Sequence, residues 1–227
     1  MNIAIIPARS GSKRIPGKNI KEFCGKPMIG WSILEAINSE CFDRIIVSTD
    51  SHEIAEIANS FGAETPFLRP KNISDDFTPI VEVMKHATSE LLRLDYNLSN
   101  ICCIFATAPF IKSHYLKSGL NQLINNNCDY VFPVTSFSYP IQRSLIVNAD
   151  NTAQMLYPEF SLTRSQDLLE AWHDAGQFYW GKLESWIEER EILKSNIQIL
   201  RLPRKLVQDI DTFEDWEYAE ALFQSMT

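Results

Sequence analysis

The 227 residues are 45% hydrophobic and 11% aromatic, enough apolar side chain for a substantial core, which excludes a largely disordered chain. Acids outnumber bases 29 to 21, a formal charge of −8, and a surface of that sign is a poor general binder of nucleic acid or anionic membrane. No apolar run approaches the ~20 residues of a membrane span, the N-terminal MNIAIIPARSGSKR lacks the layout of a secretory signal, and the five cysteines form no C-x-x-C pair; a cytoplasmic protein is expected.

In chain order, residues 3–6 (IAII) read as a buried strand, followed by a basic, glycine-containing loop to Asn19 and a helix over 28–38. RIIVS (44–48) is a second strand. The D-S-H-E run from Asp50 has the form of a capping box opening a helix over 53–61. Thr78-Pro79 suits an N-cap and N1 proline for a helix carrying Ile80, Val83, Met84, Ala87, Leu91 and Leu94 on one stripe. NICCIF (100–105) is a strand with Cys102 and Cys103 on opposite faces, 114–126 a helix, and YVFPV (130–134) another strand. Strands alternating with helices imply an α/β fold with a mostly parallel sheet and helices on both faces. Ligands of such sheets collect beyond the carboxyl ends of the strands, so the loops after Ile6, Ser48 and Phe105 should line one crevice.

The rhythm breaks over 137–169, a mixture of turn residues and short β-like pieces. It reads as a hairpin arm contacting a second subunit, with an active-site lid as the alternative. Strands at 177–180 and 197–202 and a last helix from Phe213, capped by Thr212, complete the chain.

Charge is concentrated unevenly. Between Arg9 and Lys26 stand six basic residues (Arg9, Lys13, Arg14, Lys18, Lys21, Lys26) against one acid, Glu22. In Pro7–Asn19 small residues let backbone N–H groups approach a triphosphate while Arg9, Lys13, Arg14 and Lys18 neutralise it, although a plain basic connection is the alternative. Asn19 follows the lysine where a Walker loop needs Ser or Thr, which argues against a kinase. Asp209-Ile210-Asp211 projects two carboxylates to one side of an extended chain, where they can grip a hard cation such as magnesium; alone they would pass for a helix-start acidic cluster. Arg164 at the end of the excursion could reach a phosphate or a substrate carboxylate, or simply pair with a neighbouring acid. Arg69, before Ser74-Asp75-Asp76, could contact a nucleotide base, although a turn and helix cap explain most of that segment. Cys24, His86, His114 and His173 stand without a partner pattern.

Taken together, IPARSGSKRIPGKN (6–19), VSTD (47–50), ATAP (106–109), TRSQD (163–167) and DIDTFEDW (209–216) resemble, in order and over nearly the whole chain, the CMP-sugar-acid synthetases, cytidylyltransferases that activate sialic and related nonulosonic acids. The resemblance implies a Rossmann-like sheet of the nucleotide-diphospho-sugar transferase type. It implies a single domain over 1–227 with a dimerisation arm at about 137–169, a homodimer, and a Mg²⁺–CTP site. Carried over by position, nucleotide contacts fall on Ala8, Arg9, Ser10, Gly11, Ser12, Lys13, Arg14, Lys18 and Asn19, with Arg69 and Ala106 across the crevice. Asp209 and Asp211 would hold Mg²⁺, Arg164 would sit near the phosphates or the sugar, and Phe105, Thr107, Gln177, Phe178 and Tyr179 would face an acidic nine-carbon sugar. Sialic acid synthetases carry Gln-Pro where this chain has Phe105-Ala106, and N-G-A-x-Y where it has HDAGQFYW (173–180). The latter form is similar to the pseudaminic acid branch of the family.

Overall fold

The computed structural model describes residues 1–226; Thr227, the last residue of the expected domain span, lies outside them. Strand β1 (Asn2–Pro7) keeps Ile3 through Ile6 wholly out of water because both faces of the sheet are covered. A tight hairpin, β2 (Glu22–Phe23) and β3 (Lys26–Pro27), turns through Cys24 and Gly25, both at positive φ. Then come α1 (Met28–Asn38), β4 (Arg44–Ser48), α2 (His52–Ser60), α3 (Ile80–Arg93), β5 (Asn100–Ile104), α4 (Ser113–Asn125) and β6 (Tyr130–Ser136). The chain continues through β7 (Leu145–Val147), β8 (Ala153–Met155), β9 (Trp172–Asp174), β10 (Phe178–Lys182), α5 (Leu183–Ile187), β11 (Ile197–Arg201) and α6 (Phe213–Gln224).

The seven-stranded sheet has the order β11-β6-β10-β5-β1-β4, with β9 alongside β6. β4, β1 and β5 are mutually parallel, and β6 is parallel to β11. β10 enters antiparallel between β5 and β6, so β5 and β6 point the same way and, within this sheet, the parallel expectation holds for all strands but β9 and β10. β9 runs beside the carboxyl end of β6 and β10 beside its start; the break at 175–177, with Gly176 at φ +61°, lets the chain move from β6 to β5.

The period of two sorts the strands between two cores. Ala4, Ile6, Cys102 and Ile104 face α1, α2 and α4, while Ile3, Ile5, Ile101 and Cys103 face α3 and α5. Close approach is visible at Gly30, where a Cβ would stand 2.8 Å from the Phe61 ring of α2's C-terminus. A third cluster joins Phe23, Met28 and Phe110 to Trp216 and Phe223 of α6, and takes in Ile15 and Ile210. Each such buried isoleucine contributes roughly 1.5–3 kcal/mol of transfer free energy. This cluster draws residues 209–211 against the basic loop.

Two helix starts differ from expectation by one residue. Ser51, not Asp50, caps α2 by accepting from the Ile54 N–H, and Asp50 is engaged elsewhere. Pro79 itself is the N-cap of α3, and Thr78 bonds instead to Asp75, whose Oδ1 accepts from the Phe77 and Thr78 N–H groups and the Thr78 hydroxyl. At α6 the reading holds: Thr212 and Asp215 form a reciprocal capping box. Residues 137–169 do leave the main sheet and contain the β7–β8 hairpin, with Leu145 58% and Val147 66% exposed. Among the described residues no helix is long and apolar enough to cross a membrane.

Candidate active site

The loop after β1 is fixed from outside itself. Ser10 donates from its N–H and hydroxyl to Asp50, beyond β4. Asn19 donates to the Arg9 carbonyl at 2.9 Å, and Gly17, at φ +63°, allows the turn in which its carbonyl accepts from the N–H groups of Ile20 and Lys21. Lys18 donates to the Ile210 carbonyl at 2.5 Å, tying the N-terminal loop to the segment before α6. Across the crevice, the buried Ser32 of α1 donates to the Phe105 carbonyl at 2.8 Å, holding the chain that follows β5.

These ties enclose a cavity of about 560 Å³ at the carboxyl ends of β1 and β5. Its wall includes Arg9, Ser12, Lys13, Arg14, Lys18 and Asn19 from the loop, Arg69, Phe105, Ala106 and Thr107 from across the crevice, and Asp211. Lys13 and Asp211, almost two hundred positions apart in the sequence, thus share one cavity. The loop after Ser48 does not line it, but supports it through Asp50 and through the Thr49 carbonyl, which accepts from the Arg69 N–H at 2.7 Å.

The cations are held by two acids. Asp76 pairs with Arg9 at 2.5 Å and with Lys13 at 2.7 Å, and those hydrogen bonds, Lys13's first, keep its carboxyl below the usual range. Asp211 pairs with Arg14 at 2.8 Å and stands 3.4 Å from Lys18. Arg69 is only 5% exposed; its Nε donates to the Ser74 hydroxyl, while Nη2 is buried without a partner. Burial lowers the Arg69 pKa, partly opposed by Asp50. A buried guanidinium nitrogen lacking an acceptor is a site prepared for one.

Asp75, Asp76, Thr78, Ile80 and Val83 also line the cavity. The sequence reading placed this stretch in a turn, a cap and a core stripe. Asp-Asp facing a run of lone cations was the signal that could have revealed Asp76 as their counter-charge.

Several expected residues lie elsewhere. Ala8 is fully buried and its N–H is spent on the Ser48 carbonyl; Ser10 is committed to Asp50; Gly11 is not in the wall. Phe178 is fully buried in the core beside Trp180, because its strand turns that position toward α4, so it has no surface to offer a sugar. Gln177 is buried and donates to the Leu206 carbonyl. Tyr179 backs the cavity indirectly: its ring meets Phe105 edge-on at 5.6 Å and its hydroxyl donates to Asp174. Arg164 is exposed on the arm and paired with Asp167 at 2.6 Å, outside the cavity wall.

Asp209 is largely exposed beside the wall and Asp211 half-buried within it, with Ile210 between them turned into the third core. Partial desolvation, then the Asp211 charge, raise the Asp209 pKa, opposed by the charge of Lys18. Among the described residues no group of three or more His, Cys, Asp or Glu could enclose a metal. A hard cation held by this pair would have to take its other oxygens from a bound phosphate and from water.

A family model of cytidylyltransferases matches residues 3–224. The chain is 44% identical over 223 residues to the pseudaminic acid cytidylyltransferase of Campylobacter jejuni, covering 98% of this chain and 96% of that one. It is 28% identical to the CMP-N,N'-diacetyllegionaminic acid synthase of Legionella pneumophila, again over 98% and 96% of the two chains. In fold it is similar to a CMP:2-keto-3-deoxy-manno-octonic acid synthetase solved with CTP, with a TM-score of 0.72, 17% identity, and coverage of 100% of this chain and 99% of that one.

Proposed function

The chain belongs to the cytidylyltransferase family, and on that premise we propose that it transfers CMP from CTP to the anomeric hydroxyl of pseudaminic acid, an acidic nine-carbon sugar, releasing pyrophosphate. The observation that carries the reading is the single cavity in which Arg9, Lys13, Arg14, Lys18 and Arg69 converge beside Asp211. The choice of sugar is supported by the 44% identity to the Campylobacter enzyme over nearly the full length of both chains.

In this reading the sugar hydroxyl attacks the α-phosphorus in line with the pyrophosphate it expels, a reaction that asks the protein mainly for positioning and charge neutralisation. Arg9 and Lys13 exchange Asp76 for triphosphate oxygens, and Lys18, already anchored on the Ile210 carbonyl, presents its charge at a fixed point. Ser12 and Asn19 add neutral donors at the same wall, and the unpartnered Arg69 nitrogen finds its acceptor on the nucleotide. Asp209 and Asp211 would hold Mg²⁺, which supplies Lewis-acid neutralisation of phosphate charge. Phe105, buttressed by Tyr179, and Thr107 would meet the sugar at the mouth.

The same reading takes the chain as one cytoplasmic domain whose arm, residues 137–169, pairs two copies as a homodimer. Arg164, exposed and not among the residues of its own cavity wall, would then serve the neighbouring copy's substrate. Pyrophosphate release with CTP or UTP across pseudaminic, N-acetylneuraminic, legionaminic and 3-deoxy-octulosonic acids tests the proposal. CTP with pseudaminic acid should be fastest; turnover with none of the four acids would end the enzymatic reading, and preference for another would reassign the sugar.

A further inference from the structure

Asp50 closes the VSTD stretch, yet it is not in the cavity wall, and Ser51 has taken the helix cap that the D-S-H-E context offered it. Its half-buried carboxylate serves two sides of the nucleotide cavity instead. On one side it accepts from the Ser10 N–H at 2.8 Å and from the Ser10 hydroxyl at 2.7 Å, setting the start of the cationic loop. On the other it neighbours Arg69. The Thr49 carbonyl, one residue back along the chain, accepts from the Arg69 N–H at 2.7 Å and brings the two residues together.

Electrostatics gives this placement a use. Arg9 and Arg69 both line the cavity, and two cations drawn toward one ligand repel each other before it arrives. Burial lowers the Arg69 pKa, the Asp50 charge opposes that fall, and the Arg9 charge adds to it. Arg9 has a counter-charge in contact, Asp76 at 2.5 Å, whereas among the described residues Arg69 forms no ion pair. Asp50 therefore supports the guanidinium from outside the wall without occupying it, and Nη2 stays free for an acceptor on the ligand. A carboxylate in contact would have taken that nitrogen. With no carboxylate at all, a buried cation would stand uncompensated.

We infer that Asp50 is a positioning residue: one carboxylate orients the cationic loop through Ser10 and steadies Arg69 on the facing wall, so that both grip a single nucleotide in register. The inference rests on the cytidylyl-transfer reading and adds to it the group that couples the two walls of the CTP site. A neutral tether and a charged one behave differently here. Asparagine keeps both bonds to Ser10, its oxygen accepting from the N–H and its amide donating to the hydroxyl, but removes the charge. If Asp50 were only a tether, asparagine would serve as well. If it were only a stray negative charge near a triphosphate, its loss would tighten CTP binding.

The test measures Kd for CTP by calorimetry on wild type, Asp50→Asn, Arg69→Met and the double variant, with a thermal melt of each. Asp50→Asn should weaken CTP about ten-fold, the scale of one hydrogen bond to a charged group. In the Arg69→Met background the same substitution should change Kd less than two-fold, because the group it steadies is gone. Asp50→Ala, which also removes the acceptor for Ser10, should lose more than Asp50→Asn, and that extra loss should survive in the Arg69→Met background. Unchanged or tighter binding in Asp50→Asn, or an equal loss in both backgrounds, overturns the inference; so do equal losses for Ala and Asn. Should Asp50→Asn fail to fold, Asp50→Glu, which keeps the charge but displaces it by one methylene, enters the same cycle under the same criterion. A wild type that does not bind CTP ends the parent reading and the inference with it, whereas bound CTP with additive variants ends the inference alone.

Discussion

The loop of residues 9–19 and the arm of residues 137–169 are both irregular connections, yet they are held in opposite ways. The loop contains fully buried Ile15, and its tethers reach far along the chain, from Ser10 to Asp50 and from Lys18 to Ile210. The arm is held by its own short-range bonds, such as Arg143 to the Ser161 and Thr163 carbonyls, and leaves Leu162 97% and Leu169 82% exposed. Cations on a loop fixed from outside are set in place before a ligand arrives, which is what charge neutralisation in a transition state requires. Apolar side chains on a self-held arm find no cover within the described residues, and that is what supports the proposal that the arm meets a second copy.

The sharpest break of this comparison is Asp211→Ala. The residue's backbone N–H goes to Asp215 and the neighbouring capping box does not involve its carboxylate, so α6 should stay folded. Turnover should fall about 10²–10³-fold, the usual loss on removing one preorganised electrostatic group. Steady-state rates alongside a thermal melt measure both; retained activity would strip the couplet of its role.

What was legible in the sequence follows the same division. Strands buried on both faces announce themselves as apolar runs, so β1, β4, β5 and β6 were readable from IAII, RIIVS, NICCIF and YVFPV. The direction of β10 was not, because an antiparallel insertion depends on which strand a segment meets rather than on its own pattern. Asp50 looked like a helix cap because its local context suits one; a long-range demand from Ser10 took it instead. Likewise the cations of the loop were plain, whereas their counter-charge Asp76 was hidden in a turn signature some sixty positions on. Phe178 was misplaced because a motif match does not say which face of a strand a side chain takes, and here the core took it.

A paired substitution sharpens the contrast in stability. Ile210→Ala removes a buried side chain from the cluster that seats residues 209–211, and should cost about 2–5 kcal/mol in denaturant unfolding. Val147→Asp, on the exposed hairpin, should leave the chain's own unfolding within about 0.5 kcal/mol. Its effect should be on mass in sedimentation, from dimer to monomer, with activity lost in proportion if Arg164 serves the partner copy. A Val147→Asp protein of unchanged mass would overturn the proposal that this arm pairs two copies.

The smallest expected effect probes what holds the loop's cations before CTP arrives. Asp76 competes with the triphosphate for Arg9 and Lys13, so Asp76→Asn should lower KM for CTP two- to five-fold, roughly what an exposed ion pair accounts for. The pH dependence has a definite sign. Because the folded-state carboxyl of Asp76 titrates below the ordinary carboxylate range, the pairs are fully formed above that range and are lost only as pH falls through the lower folded-state value. Between pH 8 and 5 the ratio of wild-type to Asp76→Asn KM should therefore stay flat. A ratio that drifted across that window would mean that a different titrating group, and not Asp76, sets the competition at the loop.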